Sequence, residues 1–516
     1  MFVAFVLITT LYYILVLRLS RFFDKKACGS TIETTSLRSE ISQWISTHIF
    51  LFAFLIILLC WLPYLLIQYP GNVSWDGLNQ LNQVAGLIEK TNHYPYVSTA
   101  YFGFLFTLGR SILDDNFGVF CIIIVQFFAC AAIFAIICKY VFLLFKKLKF
   151  FFFTILFFSL YPVFPQYACT VIKDTLYAAV FALFILIIAN ILTAKKVTFV
   201  RMTGLILTGL MLSFFRSEGI YIVSISIIVL VVAFKSNRRN LLVSMVSIIA
   251  VVFLVNNVVV PKIGVQTFNG ISSESLSLPF QQTARYIRDY GDDITPNQIS
   301  VIEKTLGVAD YKTIGEVYNP NVSDPVKKDS RDITNLPEYL NVWAQMLKQH
   351  PSAYIEATIN GAYGYFSPFE FINVKDYFYN YVDSTANNGI PDEQRLNIYY
   401  PADSVPGSSA AILKYDLVRY FHTWIELPIL QNTIASIGFY TWLLLFFLVN
   451  MIRKRATRTD AIFVAPLLVL ATCVASPVNG LFRYAFPIIA CMPVLIAFCI
   501  YTIQNKHHDC EESVSE

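Results

Sequence analysis

PGNVSWDGLNQLNQVAGLIEKTNHYPY, residues 70–96, follows directly on a long apolar run and is the first segment of the chain that is polar, aromatic and acidic at once. Asp76 stands at most seven residues beyond that run, close to where a membrane face would lie. A carboxylate at that depth is stable where it is solvated, caps a helix or takes part in chemistry. Leucines at 78, 81 and 87 make a rough helical stripe through LNQLNQVAGLIEK, which suits a helix lying on the membrane surface. Pro95 then stops the helix and leaves His93 near a turn. An acid and a histidine on one short membrane-surface loop are the best chemical lead in the chain.

Composition fixes the class. The chain has 516 residues, 56% of them hydrophobic and only 14% charged, with mean hydropathy +0.59. A soluble domain carries about a quarter charged residues, so this is a polytopic membrane protein. The net charge of +4 is small and the basic residues are scattered, which argues against a nucleic-acid partner. Most of the ten cysteines lie inside apolar runs, none lies between 261 and 430, and there is no CxxC pair. A disulfide framework and a zinc site are therefore not expected.

The first run, Met1 to Leu19, reads as an uncleaved anchor with its N-terminus outside. Further runs fall near 47–69, 117–138, 150–168, 175–193, 199–215, 219–234, 240–260, 432–452, 460–476 and 485–503. Each is about long enough to cross a bilayer, which needs roughly 20 residues, and the total is eleven spans. A patch at 98–109 is too short to count, and whether it re-enters the membrane stays open from sequence. With eleven spans the basic clusters at 18–38, 139–149, 195–201, 235–239 and 453–458 all fall on one side, which the positive-inside rule makes cytoplasmic. The chain then divides into an anchor and cytoplasmic loop (1–46), a transmembrane part (47–260) carrying the outer loop 70–116, an extracytoplasmic domain (261–430), and C-terminal spans with a short cytoplasmic tail (431–516).

The domain 261–430 reads as mostly helical. LPFQQTARYIRDYG (278–291) and TPNQISVIEKTLG (295–307) each end on glycine, and PEYLNVWAQMLKQHP (337–351) opens and closes on proline. The segment after Pro351 is aromatic and apolar enough to pack on the membrane surface. The stretch 383–410 is rich in loop-forming residues, and no alternating pattern calls for a sheet.

Several charges sit at membrane boundaries on the outer side, and each has a plain structural reading. Asp76 reads equally as a catalytic base and as the N-cap of the helix at 78–89, with Ser74 the rival cap. Asp174 suits the dipole at a helix start, and Lys173 can snorkel to the surface. Arg216 and Glu218 suit a local ion pair in a tight hairpin. Arg483 suits lipid headgroups, and a lone histidine such as His93 is more often a turn residue than a catalyst. Trp61, Tyr64, Trp424 and Tyr440 read as interface anchors. Taken together, one acid, one histidine and three cations at bilayer depth suit a lipid-borne phosphate beside a general base. No Walker loop, nucleotide-binding glycine motif or HExxH is present, so activation must arrive in the substrate. The pairs Asp114-Asp115 and Asp292-Asp293 suit solvated turns better than metal sites.

PGNVSWDG (70–77), LPFQQTARYI (278–287), the turn His350-Pro351-Ser352-Ala353-Tyr354 and SPVNGLFRYAFP (476–487) resemble a bacterial multi-pass family of unknown function placed in the GT-C superfamily of membrane glycosyltransferases. The resemblance implies an all-α, GT-C-like membrane fold in the bacterial plasma membrane. It implies sugar transfer from a polyprenyl-phosphate donor to an envelope glycan, lipid or protein on the extracytoplasmic face. It makes Asp76, with His93 beside it, the catalytic candidate, and Arg483, Lys173 and Arg216 the donor-phosphate ligands; Asp174 and Glu218 are further candidates. No cofactor is identified. Asp76 lies between Trp75 and Gly77 and lacks the superfamily's frequent second acid, which leaves a divalent metal possible but without a ligand motif. The alternatives are a transporter or flippase of a lipid-linked glycan, and a polymerase or ligase using a lipid-diphosphate donor.

Overall fold

The structure, a computed structural model, describes residue 18 and residues 45–515, except 195–196, 235–236, 268–272, 328–334, 370–381, 402–406 and 455–457. The expected first span, most of the basic cluster at 18–38, and Lys195, Lys196, Lys235 and Arg455 lie outside the described residues, as do parts of the 351–371 and 383–410 segments. Among the described residues, five helices are long and apolar enough to cross a membrane: α1 (Ile49–Ile67), Asp115–Phe145, Lys173–Thr193, Arg238–Lys262 and Phe482–Asn505. Each of the other apolar runs among the described residues contains a shorter apolar helix, namely Leu148–Leu160, Phe199–Phe215, Gly219–Ala233, Ile437–Arg453 and Thr459–Val474.

One helix lies at the centre. Lys173–Thr193 is 83% buried, whereas Arg238–Lys262 is 22% buried and faces outward. The central helix packs on the last helix, on Phe199–Phe215 and on Asp115–Phe145. Ala178, Ala179, Ala182 and Ala189 on it, and Ala485, Ala490 and Ala497 on the last helix, are fully or nearly fully buried. Small side chains let backbones approach closely where lipid supplies no hydrophobic drive between helices.

The run 150–168 does not form one continuous helix. Its helix stops at Leu160, because Pro162 forces the preceding Tyr161 into an extended conformation. Proline also has no N–H for the carbonyl of Phe158, four residues back. The indole of Trp61 supplies that donor instead, at 2.9 Å. Trp61, Tyr64 and Tyr440 are therefore interior residues, 0%, 4% and 3% exposed, and not the interface anchors expected of them. Past the break, a short helix (Val163–Ala168) leads to a two-residue strand, β2 (Thr170–Val171), paired in parallel with β1 (Asn72–Val73). The end of this short helix and the strand after it are deeply buried, so their carbonyls need partners. The Gln126 amide nitrogen lies within 2.8–3.2 Å of three of them, Tyr167 O, Ala168 O and Thr170 O.

The stretch 70–96 runs from β1 into α2 (Trp75–Val84), which is shorter than expected. Gly86, at φ +75°, ends it, so Leu87 falls beyond the helix. The helix also does not lie on a surface: Leu78, Gln80, Leu81 and Asn82 are at most 1% exposed. It is wedged between α3 (Tyr96–Ile112), where Gln80 donates to Ser98 Oγ and Thr99 Oγ1, and the 384–387 turn, where Asn82 donates to Asn387 Oδ1.

The region 261–430 has its own core, built from Phe280, Tyr286, Tyr339, Met346 and Tyr354. Its helices include Ser277–Tyr290, Pro296–Leu306, Leu336–Gln349 and Pro351–Ala362. Thr295 and Gln298 form a capping box, and Gly307 closes that helix at φ +67°. Gly291 does not act as such a stop: it stays right-handed and continues as a 3-10 turn through Asp292 and Asp293.

Gly77 tests the seating of α2. A Cβ there would stand 2.2 Å from Val171 O, so Gly77→Ala must push α2 off β2, at a cost of about 1–3 kcal/mol. Gly361 sits in a helix with nothing within 4 Å of its would-be Cβ, and Gly361→Ala should stabilise by about 0.5–1 kcal/mol. Thermal unfolding of the two variants in detergent should move in opposite directions; equal shifts would refute this packing.

Candidate functional site

Ser74, not Asp76, caps α2. Its Oγ accepts from Gly77 N at 3.1 Å and donates to Val171 O at 3.0 Å, which ties the helix start to β2. That frees Asp76, in the first turn and 8% exposed, to turn its carboxylate inward. Its Oδ2 receives Lys173 Nζ at 2.9 Å and Arg483 Nη1 at 2.8 Å. Lys173 opens the central helix and Arg483 lies in the first turn of the last helix. The side chains of all three are less than a fifth exposed, so Lys173 does not snorkel and Arg483 is not a headgroup anchor.

A second cluster adjoins the first. Asp174, the neighbour of Lys173, is 2% exposed and takes Arg216 Nη1 at 3.1 Å, while Arg216 Nε pairs with Glu218 at 2.6 Å. The expected local pair in the 216–218 hairpin is present, and it extends to Asp174 across the helix bundle. Tyr484 joins the two clusters. Its ring lies 5.0 Å from the Arg216 guanidinium and 5.1 Å from that of Arg483, and its hydroxyl accepts from Arg483 Nη2 at 3.3 Å. Such ring faces attract cations without adding formal charge. Tyr177 offers Arg216 another face at 5.4 Å, and Tyr94 offers Lys173 one at 4.7 Å.

His93 stands edge-on to Tyr94, ring centroids 4.7 Å apart. Burial lowers its basicity, against the raising pull of Glu274 and Asp76, and leaves it below the ordinary histidine range. Its imidazole is therefore neutral at neutral pH. Asp76 behaves oppositely. Burial pushes its carboxyl up, but Arg483 and Lys173 pull it further down, well below the usual carboxylate range. The resting carboxylate is thus a poor base until a cation leaves it.

All seven residues singled out in the sequence meet here: Asp76, His93, Lys173, Asp174, Arg216, Glu218 and Arg483. Sequence reasoning missed Tyr94, Tyr177 and Tyr484, which face the cations, and the Lys327–Glu274 ion pair at 2.6 Å, whose field His93 feels. Elsewhere, Asp114 caps Asp115–Phe145, Asp115 pairs with Arg110 at 2.8 Å, and Asp293 pairs with His350 at 2.8 Å. Among the described residues, no group of three or more His, Cys, Asp or Glu side chains is placed to hold a metal.

Residues 90–514 match the model of a family of unknown function (DUF6020). The match includes every residue of both clusters except Asp76. No curated protein and no solved structure matches the chain.

Because Ser74 supplies the cap, Asp76→Asn leaves the helix start intact. It leaves two buried cations without their carboxylate, a loss of about 3–5 kcal/mol. Because the folded-state affinity for a proton is depressed, the carboxylate's contribution is complete above the ordinary carboxylate range and is lost as pH falls through the folded value. The stability gap between wild type and Asp76→Asn should stay constant from about pH 6 to 8 and narrow below about pH 5. A gap independent of pH down to denaturation would show that Asp76 is not held in this pair.

Proposed function

The chain belongs to the DUF6020 family, and we propose that it is a membrane glycosyltransferase that moves a sugar from a polyprenyl-phosphate donor to a cell-envelope acceptor on the extracytoplasmic face. The observation that carries this reading is the charge of the first cluster. One carboxylate between two cations leaves a single net positive charge. A polyprenyl-phosphate sugar is a phosphodiester and carries one negative charge. As it binds, its phosphate oxygens take Arg483 and Lys173 from Asp76, whose proton affinity then rises toward that of a working base. The acceptor oxygen forms its bond to the anomeric carbon while the bond to the phosphate oxygen breaks, and that electron pair stays on the phosphate. The acceptor proton passes to Asp76. The departing phosphate monoester carries about two negative charges, and Asp76, now neutral, leaves two cations to meet them. The first cluster and the donor phosphate together stay close to neutral throughout. A lipid-diphosphate donor would arrive with excess charge, which favours the monophosphate. Inversion at the sugar follows from a single displacement. His93, neutral beside Asp76, suits a hydrogen-bond partner for the acceptor.

The charges sit at helix ends, with Lys173 opening one helix, Arg216 following another and Arg483 in the first turn of a third. Transporters place such groups nearer the bilayer midplane, so the same placement supports the enzyme over the flippase. The reading takes a GT-C-like fold of eleven spans in a bacterial plasma membrane, N-terminus outside and C-terminus cytoplasmic. It is supported by the apolar helices and by the one-sided basic clusters.

Purified protein in vesicles with radiolabelled polyprenyl-phosphate sugars and an envelope extract should release polyprenyl phosphate and label the acceptor. Arg483→Ala should lower turnover on the order of 10²-fold, with Arg483→Lys intermediate, because lysine offers a point charge in place of a two-pronged fork. Asp76→Asn, corrected for folded fraction, should lose roughly 10²–10⁴-fold. Passage of intact lipid-linked sugar across the bilayer with no bond broken would replace this function with transport. Reporter fusions at residues 149, 238 and 456 should report cytoplasm and one at 330 should not; an outside signal at any of the first three overturns the topology.

A further inference from the structure

Arg483 reaches Asp76 from the end of a loop, residues 476–481, that the 261–430 region holds on several sides. The backbone of Val478 pairs with Val322 in an antiparallel bridge. Ser323 N donates to Pro477 O at 2.8 Å, and Asn479 N donates to Asn321 O at 2.8 Å. The Asn479 side chain donates to Asn321 Oδ1 at 3.1 Å and accepts from Gly364 N at 2.8 Å. Gly364 presses on Gly480 so closely that a Cβ on Gly364 would stand 2.8 Å from the Gly480 Cα. Tyr365, 0% exposed, completes the grip with one hydroxyl. It donates to Val478 O at 2.9 Å, accepts from Leu481 N at 3.2 Å and shares a hydrogen bond with Ser476 Oγ at 3.0 Å. Leu481 is two residues from Arg483.

The same region holds the opposite partner. Asp383 N donates to Val73 O at 3.1 Å, Val382 bridges Val73, and Tyr400 Oη donates to Gly71 O at 3.2 Å. Val73 is three residues from Asp76. Segments of the 261–430 region therefore contact both the segment that delivers the carboxylate and the segment that delivers the guanidinium.

We propose that Tyr365 is a positioning residue for Arg483, and that through it the 261–430 region governs how firmly Arg483 is held on Asp76. Tyr365 touches none of the reacting groups; it acts by fixing the register of the loop from which the last helix starts. Loss of its hydroxyl lets residues 476–481 relax and shifts the guanidinium off the Asp76 carboxylate, because a charged hydrogen bond of 2.8 Å tolerates little displacement. The consequence for donor binding rests on the glycosyltransferase reading; the positioning itself does not.

The test is a double-mutant cycle on thermal stability in nanodiscs, with Tyr365→Phe, Arg483→Gln and the pair. If Tyr365 acts through Arg483, its loss matters less once the guanidinium is gone, and the double variant falls by less than the sum of the two shifts. Asn479→Ala provides a second entry to the same cycle should Tyr365→Phe fold poorly. Tyr339→Phe is the control: its hydroxyl is buried against Thr283 Oγ1 at 2.8 Å in the other core, and its shift should add to that of Arg483→Gln. Additive shifts for both Tyr365→Phe and Asn479→Ala overturn the proposal. The same variants are then titrated with polyprenyl phosphate, where Tyr365→Phe should weaken binding about 5- to 30-fold, the equivalent of one or two net hydrogen bonds, and should have little effect in the Arg483→Gln background. A non-additive stability cycle in a protein that binds no polyprenyl phosphate would leave the positioning role standing and remove the glycosyltransferase reading.

Discussion

Two cations share one oxygen of one buried carboxylate, and much of the molecule is arranged to make that geometry stable. The partners are remote along the chain, 97 and 407 residues from Asp76. Each is delivered by a different element, and each element has a reason to stop where it does. Ser74 starts the helix that carries Asp76, Lys173 is the first residue of the most buried helix, and Arg483 follows a loop that turns at Gly480, φ +63°. One residue of slip in the central helix rotates its side chains by about 100° and exchanges Lys173 for Asp174 at the carboxylate. The small residues along the central and last helices thus do more than save space: close backbone packing fixes the axial register on which the ion pair depends.

The second cluster explains why the first can be so exposed to electrostatic error and still be specific. Lys173 and Asp174 are adjacent, yet they face different partners, and the Tyr484 ring contacts both guanidiniums. An aromatic face is a suitable neighbour here because it attracts both cations and cannot itself be neutralised by them. The local field is then set by fixed geometry more than by solvent.

The charges were legible in the sequence because a chain this apolar has few, and those at boundaries stand out. Their pairing was not, since it depends on which helices neighbour one another, and no periodicity in a uniformly apolar helix records that. Helix α2 is legible in place but not in its bounds: it starts at Trp75, ahead of 78, and Ala85-Gly86 carries the stop signal before Leu87. Ser74 and Asp76 were both acceptable caps, and only the inward pull of Lys173 and Arg483 decides between them. Trp61 near a run's end resembled an interface anchor, although Pro162, which leaves the Phe158 carbonyl without its usual donor, was the sign that an interior donor was needed. Tyr94, Tyr177 and Tyr484 had no signal at all among 30 tyrosines, because a cation's aromatic neighbour is chosen by tertiary packing.

The self-pairing of Asp76 with Lys173 and Arg483 also bears on what the site ignores. Any protein with bare cations at the edge of a bilayer sits in a sea of phosphate headgroups, most of them far more abundant than any specialised lipid. A cation already engaged with an internal carboxylate can reach a headgroup only by giving up a partner that is tethered and aligned. The carboxylate acts as a resident competitor that any phosphate must displace.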